Sequence, residues 1–186
     1  LYLCDKNLET ISNYDSNNAR HKLLAEVCYA AKYEGDLINT HYTKYKVTDE
    51  GTAYQLCTVL ARSFADIGDI VRGKDLYRRD KGKREKLEQK LKEIFKEIHG
   101  NLKGEAKNHY EDESGNFFQL REDWWTANRH TVWEALTCEV GSGTYFRPTC
   151  GTGTATYEKC RCGDGKSKVG TNDVPTYFDY VPQYLR

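Results

Sequence analysis

Apolar residues over the first two thirds of the chain recur at three- and four-residue steps, the period of helices that bury one face. In residues 20–34 (RHKLLAEVCYAAKYE), Leu23, Leu24, Val27, Cys28 and Ala31 share one side, and Gly35 stands where a C-terminal stop is expected. Thr52 and Gln55 have the spacing of a capping box, and Leu56, Cys57, Leu60, Phe64, Ile67 and Val71 carry a second, longer helix to Gly73. Between Lys83 and His99, Leu87, Leu91, Ile94, Phe95 and Ile98 form a narrow stripe on a Lys/Glu surface, closed by Gly100. Asn116 and Gln119 repeat the capping spacing before Leu120, Trp124, Asn128, Val132 and Leu136 climb one face as far as Cys138.

Beyond Cys138 the period is lost. Seven of the 15 Gly and all three Pro lie there, among Thr-rich stretches such as GTGTATYEKC, so long loops tied by Cys are expected. Pro182 suits the first turn of a further helix. The predicted fold class is all-α: a disulfide-stapled helical bundle with long irregular loops.

Composition narrows the setting. The 186 residues balance 28 basic against 28 acidic side chains, so a polyanion would have to be held by a local patch, and nucleic acid is not an expected partner. No apolar run approaches the roughly 18 residues of a membrane span, and LYLCDKNLE is too short and too charged for a signal peptide. The lack of Met and the patterned sequence at both ends read as a piece of a longer polypeptide. Seven Cys with no C-x-x-C pair favour a disulfide framework in an oxidising location, and the odd count leaves one partner elsewhere. No Asn begins an N-x-S/T sequon, which favours a source that makes little use of N-glycans.

Cys57, on the apolar face of the second helix, and Cys138, ending the fourth, are expected to bridge those helices, a tie of about 2–4 kcal/mol; two buried free thiols are the alternative. Cys160 and Cys162 are too close to pair with each other, so each is expected to reach elsewhere. His109 and His130 stand alone, and neither a metal nor another cofactor is predicted. Residues 72–86 carry Arg72, Lys74, Arg78, Arg79, Lys81, Lys83, Arg84 and Lys86 against three acids. Such a stripe suits a sulfated polysaccharide, and a solvated loop and helix face is the plain alternative. Trp124 and Trp133 are expected as core anchors, with Trp125 on a rim. Gly151-Thr-Gly153 neither follows a strand nor opens a helix, and Cys28 with His21 lacks an orienting third group, so no enzyme is predicted.

The blocks LARSFADIGDIVRGKDLY (60–77), QLREDWWTANRHTVWEALTC (119–138) and VPTYFDYVPQYLR (174–186) resemble the Duffy-binding-like (DBL) domains of malaria parasites. The likeness is nearest to the alpha class in Plasmodium falciparum erythrocyte membrane protein 1. ARHKLLAEVCYAAKYEGD (19–36) and LYLCDKNLE (1–9) extend it over nearly the whole chain. The resemblance implies a non-enzymatic adhesion domain on the extracellular face of the infected erythrocyte, varied to escape antibodies. Its implied partners are a red-cell or endothelial receptor or a sulfated glycan, and an adjoining cysteine-rich interdomain region. It also implies residues 1–18 as the end of a first subdomain, 19–173 as a helical second subdomain and 174–186 as the start of a third. The loops at 37–50, 100–116 and 139–173 are expected to vary.

The same resemblance implies that Cys4 pairs with a cysteine upstream and that Cys57 pairs with Cys138. Cys28, Cys150, Cys160 and Cys162 then remain, with Cys28 expected on one member of the C-x-C pair and Cys150 on the other, in an order left open. Four Cys from residue 60 onward resemble the four-cysteine form rather than the two-cysteine form tied to rosetting. An erythrocyte-invasion ligand of the same fold, a domain that only braces its neighbour, and an intracellular scaffold or thiol enzyme with free thiols are the rival readings.

Overall fold

A computed structural model describes residues 19–44, 52–76, 81–141, 149–150, 153, 155–156, 158–162 and 174–186, without the side chains of 42–44, 52–55, 81, 83, 84 and 158. Four long helices dominate: α1 (Ala19–Lys44), α2 (Thr52–Arg72), α3 (Lys81–Gly100) and α5 (Phe118–Leu136), with the one-turn α4 (Glu105–His109) between the last two. Short 3-10 turns follow at Glu158–Cys160, Phe178–Tyr180 and Gln183–Leu185. No β-strand is present among the described residues. Helix α1 packs on α5, α2 and α3, while α5 also touches α2 and α3, and the Phe178–Tyr180 turn lies on α2.

The apolar stripes read from the sequence meet in one core, in which Leu23 and Val27 of α1, Leu60 and Phe64 of α2, and Leu91 and Phe95 of α3 surround Trp124, Trp125, Val132 and Trp133 of α5. The rings interlock with offset and edge-on geometry. Phe64 lies 5.1 Å from Trp125 and 5.2 Å from Trp133, and Phe95 meets Trp124 edge-on at 6.2 Å.

Helix α1 does not stop at Gly35 but runs on to Lys44, so residues 37–44 are helix rather than loop. Gly35 serves a close approach instead. A Cβ there would lie 1.9 Å from the Leu136 carbonyl oxygen, and only a bare Cα lets the two backbones touch. The start of α5 departs from expectation too. Asn116 donates to Ser114 Oγ at 2.9 Å, while Asp112 accepts the Phe117 N–H at 2.7 Å and the Ser114 N–H at 2.8 Å. Asp112, not Asn116, holds this helix entry, and the Ser114 hydroxyl, donating at 2.6 Å, followed by those backbone donors, pulls its carboxyl below the ordinary carboxylate range. Phe117 adopts φ 55° and is buried beside His99.

Two disulfides close the irregular segment, Cys57–Cys160 and Cys150–Cys162, with Cα atoms 5.6 and 5.7 Å apart. The expected Cys57–Cys138 bridge is therefore corrected. The turn carrying Cys160 lies over α2, held where the Trp133 indole N–H donates to the Cys160 carbonyl at 3.1 Å, so Cys160 meets Cys57 first. Cys138 follows α5 on the α1 side, where its thiol donates to Glu139 at 3.2 Å. Cys150 takes one member of the C-x-C pair, but Cys28 does not take the other: Cys28 and Cys138 both carry free thiols. Cys4 lies outside the described residues.

Substituting Gly35→Ala should destabilise the chain by about 1–3 kcal/mol through overpacking, although alanine is the better helix former by about 1 kcal/mol. A fall in Tm checks it; an unchanged or higher Tm would show that the α1–α5 contact yields freely.

Candidate functional site

The basic segment divides into residues with different work. Arg72 is buried in the last turn of α2. Its Nε donates to the Gly68 carbonyl at 3.0 Å, its Nη2 to Asp69 at 3.0 Å and to the Asp179 carbonyl, and Glu122 lies 3.5 Å from Nη1. With every donor group engaged and its plane over the Trp125 and Tyr180 rings, Arg72 has nothing to offer a glycan. That part of the expectation is corrected: helical spacing puts residue 72 beside Gly68 and Asp69, on the inner side. Lys74 is exposed but ion-paired with Glu122. Arg78 and Arg79 lie outside the described residues, as do the side chains of Lys81, Lys83 and Arg84. Lys86 is exposed on the outer face of α3, where Gly82, Glu85, Lys86, Gln89, Lys90 and Glu93 line a shallow open groove.

Around Arg72 lies an ionic cluster absent from the sequence reading. Asp179 is buried, its carboxylate gripped by Arg129 at 2.7 and 2.8 Å and by the Trp125 indole N–H at 2.9 Å. Arg129 also donates to the Thr176 carbonyl at 2.7 Å and lies over the Phe64, Tyr177 and Tyr180 rings. Trp125, expected on a rim, is fully buried because its polar edge has this carboxylate to bond. Arg186 pairs with Asp69 and lies 3.4 Å from Asp66, while Gln183 donates to Asp75 at 2.8 Å. Burial pushes the Asp66 and Asp69 carboxyls above the ordinary range, with Arg186 the leading charge opposing the shift. Together these bonds clamp residues 174–186 onto α2 and α5.

A second arginine knot joins three helices. Arg121 of α5 is buried, caps the Ile70 and Val71 carbonyls at the end of α2 at 3.2 and 2.6 Å, and forks onto Glu88 of α3 at 2.7 and 3.0 Å. A guanidinium suits the site because those last carbonyls carry the negative end of the α2 dipole.

Among the described residues the bundle leaves clusters of aromatic side chains open on two elements. Tyr29, Tyr33 and Leu37 form a stripe on α1 at four-residue steps, with Tyr29 and Tyr33 60% and 53% exposed. Tyr177, Tyr184 and Leu185 are exposed on the clamped segment. Tyrosine is a common contact residue at protein interfaces because it joins an apolar body to a polar tip. Sequence reasoning missed the α1 stripe, although the 29, 33, 37 spacing marks it as the face opposite Val27 and Ala31.

A family model described as Duffy binding domain matches residues 1–186. Among solved structures, the NTS-DBL1α domain of Plasmodium falciparum membrane protein 1 (PfEMP1), varO strain, is similar at 43% identity and TM-score 0.77 over 98% of this chain and 39% of that one. The double domain of NTS-DBL1α and CIDRγ from the same strain gives 42% identity and TM-score 0.78 over 99% of this chain and 25% of that one. The ICAM-1-binding DBLβ domain of a PfEMP1 is similar at 32% identity and TM-score 0.70, over 99% of this chain and 39% of that one. The chain thus spans well under half of each of these structures. No curated protein sequence matches it.

Asp179→Ala should cost about 3–5 kcal/mol, since it leaves the Arg129 charge without its partner in a buried setting. Thermal denaturation of the variant measures the loss, and a change below about 1 kcal/mol would mean that the pair behaves as a surface ion pair.

Proposed function

The chain belongs to the Duffy binding domain family and, within it, to the alpha-class DBL domains of PfEMP1, and from that premise we propose that it is a host-cell adhesion module of a variant antigen on the infected erythrocyte. The observation that carries this reading is the match to the family along all 186 residues, in a family whose DBLβ members are found bound to human ICAM-1. The physical arrangement supports it. A core interlocked by tryptophans and sealed by arginine knots is stiff, and a stiff frame presents a contact surface at little ordering cost. The exposed Tyr29, Tyr33 and Leu37 stripe supplies rigid aromatic contact area on such a frame. No described helix is long and apolar enough to cross a membrane, and the proposed place of the domain is the extracellular face of a larger anchored protein.

Sulfated-glycan contact remains part of the proposal, now without Arg72 and centred on residues 78–86, where Lys86 faces solvent. Antibodies belong with it as partners of a varying surface. The division at residues 1–18, 19–173 and 174–186 is retained in the same way. A second reading, that the domain braces an adjoining cysteine-rich interdomain region, is favoured by the exposed Tyr177, Tyr184 and Leu185 and by the double-domain relative. Capture of host receptors and glycans by the domain alone and with the adjoining module separates the two. Binding by the domain alone supports adhesion, and binding that needs the neighbour supports bracing.

Charge reversal at Arg78, Arg79, Lys83 and Arg84 should abolish retention on heparin at moderate salt and leave the helical circular-dichroism spectrum unchanged. Retention at the original salt concentration would remove the glycan from the proposal.

A further inference from the structure

Tyr29, Tyr33 and Leu37 stand open on α1, while Val27, Ala31 and Ile38 on the far side of the same helix are buried. At four-residue steps the three form one ridge, about 12 Å long. Its two flanks differ. On one side Ala30 and Glu34 are buried. On the other, Lys32 and Asp36 stand one turn apart, Lys32 half-exposed beside Glu139 at 3.5 Å and Asp36 partly exposed. Between positions 29 and 37 the open surface thus carries one basic and one acidic side chain. Such a surface attracts neither a polyanion nor a basic partner by its net charge.

We propose that this ridge binds a second copy of the chain, as an antiparallel pair of α1 helices. What points to a copy is that the surface complements itself. When the two-fold axis passes at the level of residue 34, positions 32 and 36 are equally far from it, so Lys32 of each chain stands level with Asp36 of the other, on the same side of the ridge. The large side chains then alternate along the interface: Tyr29, Leu37 of the copy, Tyr33, Tyr33 of the copy, Leu37 and Tyr29 of the copy, each about 3 Å further along the helix axis. Every knob meets a space in the opposing ridge.

Charge also selects the orientation. In a parallel pair the two charged flanks would lie on opposite sides of the interface, and neither Lys32 nor Asp36 would meet its opposite. The antiparallel contact is isologous, so each attraction is made twice. Its area is that of a few side chains on one helix face, which places the pair in the weak, transient class. Pairing is independent of receptor contact, since a chain that stays monomeric can still capture a receptor.

Sedimentation velocity of the whole chain between about 10 μM and about 1 mM covers the range in which a weak pair fills. The mean mass should rise toward two chains, and a single chain at every concentration overturns the proposal. Tyr33→Glu, which brings two carboxylates together beside the axis, should return the chain to a monomer. Tyr184→Glu, on the other open aromatic element, should leave the pair as it is. A dimer that ignores the first variant, or one lost with the second, has its interface elsewhere and overturns the proposal. Lys32→Asp and Asp36→Lys should each raise Kd by about tenfold or more, because each sets like charges opposite one another twice. The double variant, with the charges exchanged, should recover the original Kd to within about threefold. A double variant as weak as either single one would overturn the antiparallel pairing, and an unchanged helical circular-dichroism spectrum in every variant assigns the differences to association.

Discussion

A guanidinium buried in a helical bundle must have its charge matched and its donors engaged, and Arg72, Arg121 and Arg129 meet that demand in ways that set the architecture. Arg121 cannot be satisfied unless the end of α2, the body of α3 and the first turn of α5 arrive together, because its partners are distributed over all three. Arg72 and Arg129 need the backbone and carboxylate of Asp179, which lies far along the chain from both. Apolar packing alone would tolerate small rotations of these helices. Fork-shaped ion pairs with at least one partner buried tolerate them far less, so helix register and the position of the C-terminal segment are fixed by charge.

The aromatic core and the ionic clusters are one construction. Trp125 stacks against Phe64 on one side and spends its N–H on Asp179 on the other, while the Arg129 guanidinium lies over the Phe64 ring. Removing water from a carboxylate is costly, and it is tolerable here because three donors converge on it within a shell of rings. Tyr29 and Tyr33 lie outside this shell, whereas Tyr177 and Tyr180, though exposed, cover the Arg129 guanidinium. A surface residue on α1 is thus free to change without disturbing the interior, the condition a varying contact surface requires.

What the sequence disclosed follows from what periodicity measures. Leu60, Phe64, Leu91 and Leu136 recur at helical steps, and the four long helices and the all-α class can be read from them directly. Arg72, Arg121, Arg129 and Asp179 look like ordinary charged residues, because burial of a charge depends on partners 50 or more residues away. The basic run at 72–86 therefore reads as one stripe, while in the structure its first member is enclosed. Only the joint placement of an Arg at a helix end and a Trp-rich helix beside it hints at this. The cysteine pairing failed for a related reason. A cysteine on the apolar face of one helix and another at the end of a second can face each other in a bundle, but which sulfur reaches Cys57 is decided by the fold of an aperiodic loop, here by the Cys160 turn hung from Trp133.

Gly35 shows how one residue supports two readings that only the neighbouring chain separates. Near the end of an apolar stripe, a glycine marks a helix stop whenever the stripe has nothing further to pack on. Here Ile38 resumes the stripe and is buried, so α1 has more surface to cover and continues. The missing side chain then acts sideways, bringing the α1 backbone onto the last carbonyls of α5. The contact between α1 and α5 thus runs through the residue with the lowest helix propensity after proline, because close approach across the seam outweighs the roughly 1 kcal/mol that glycine costs along the helix.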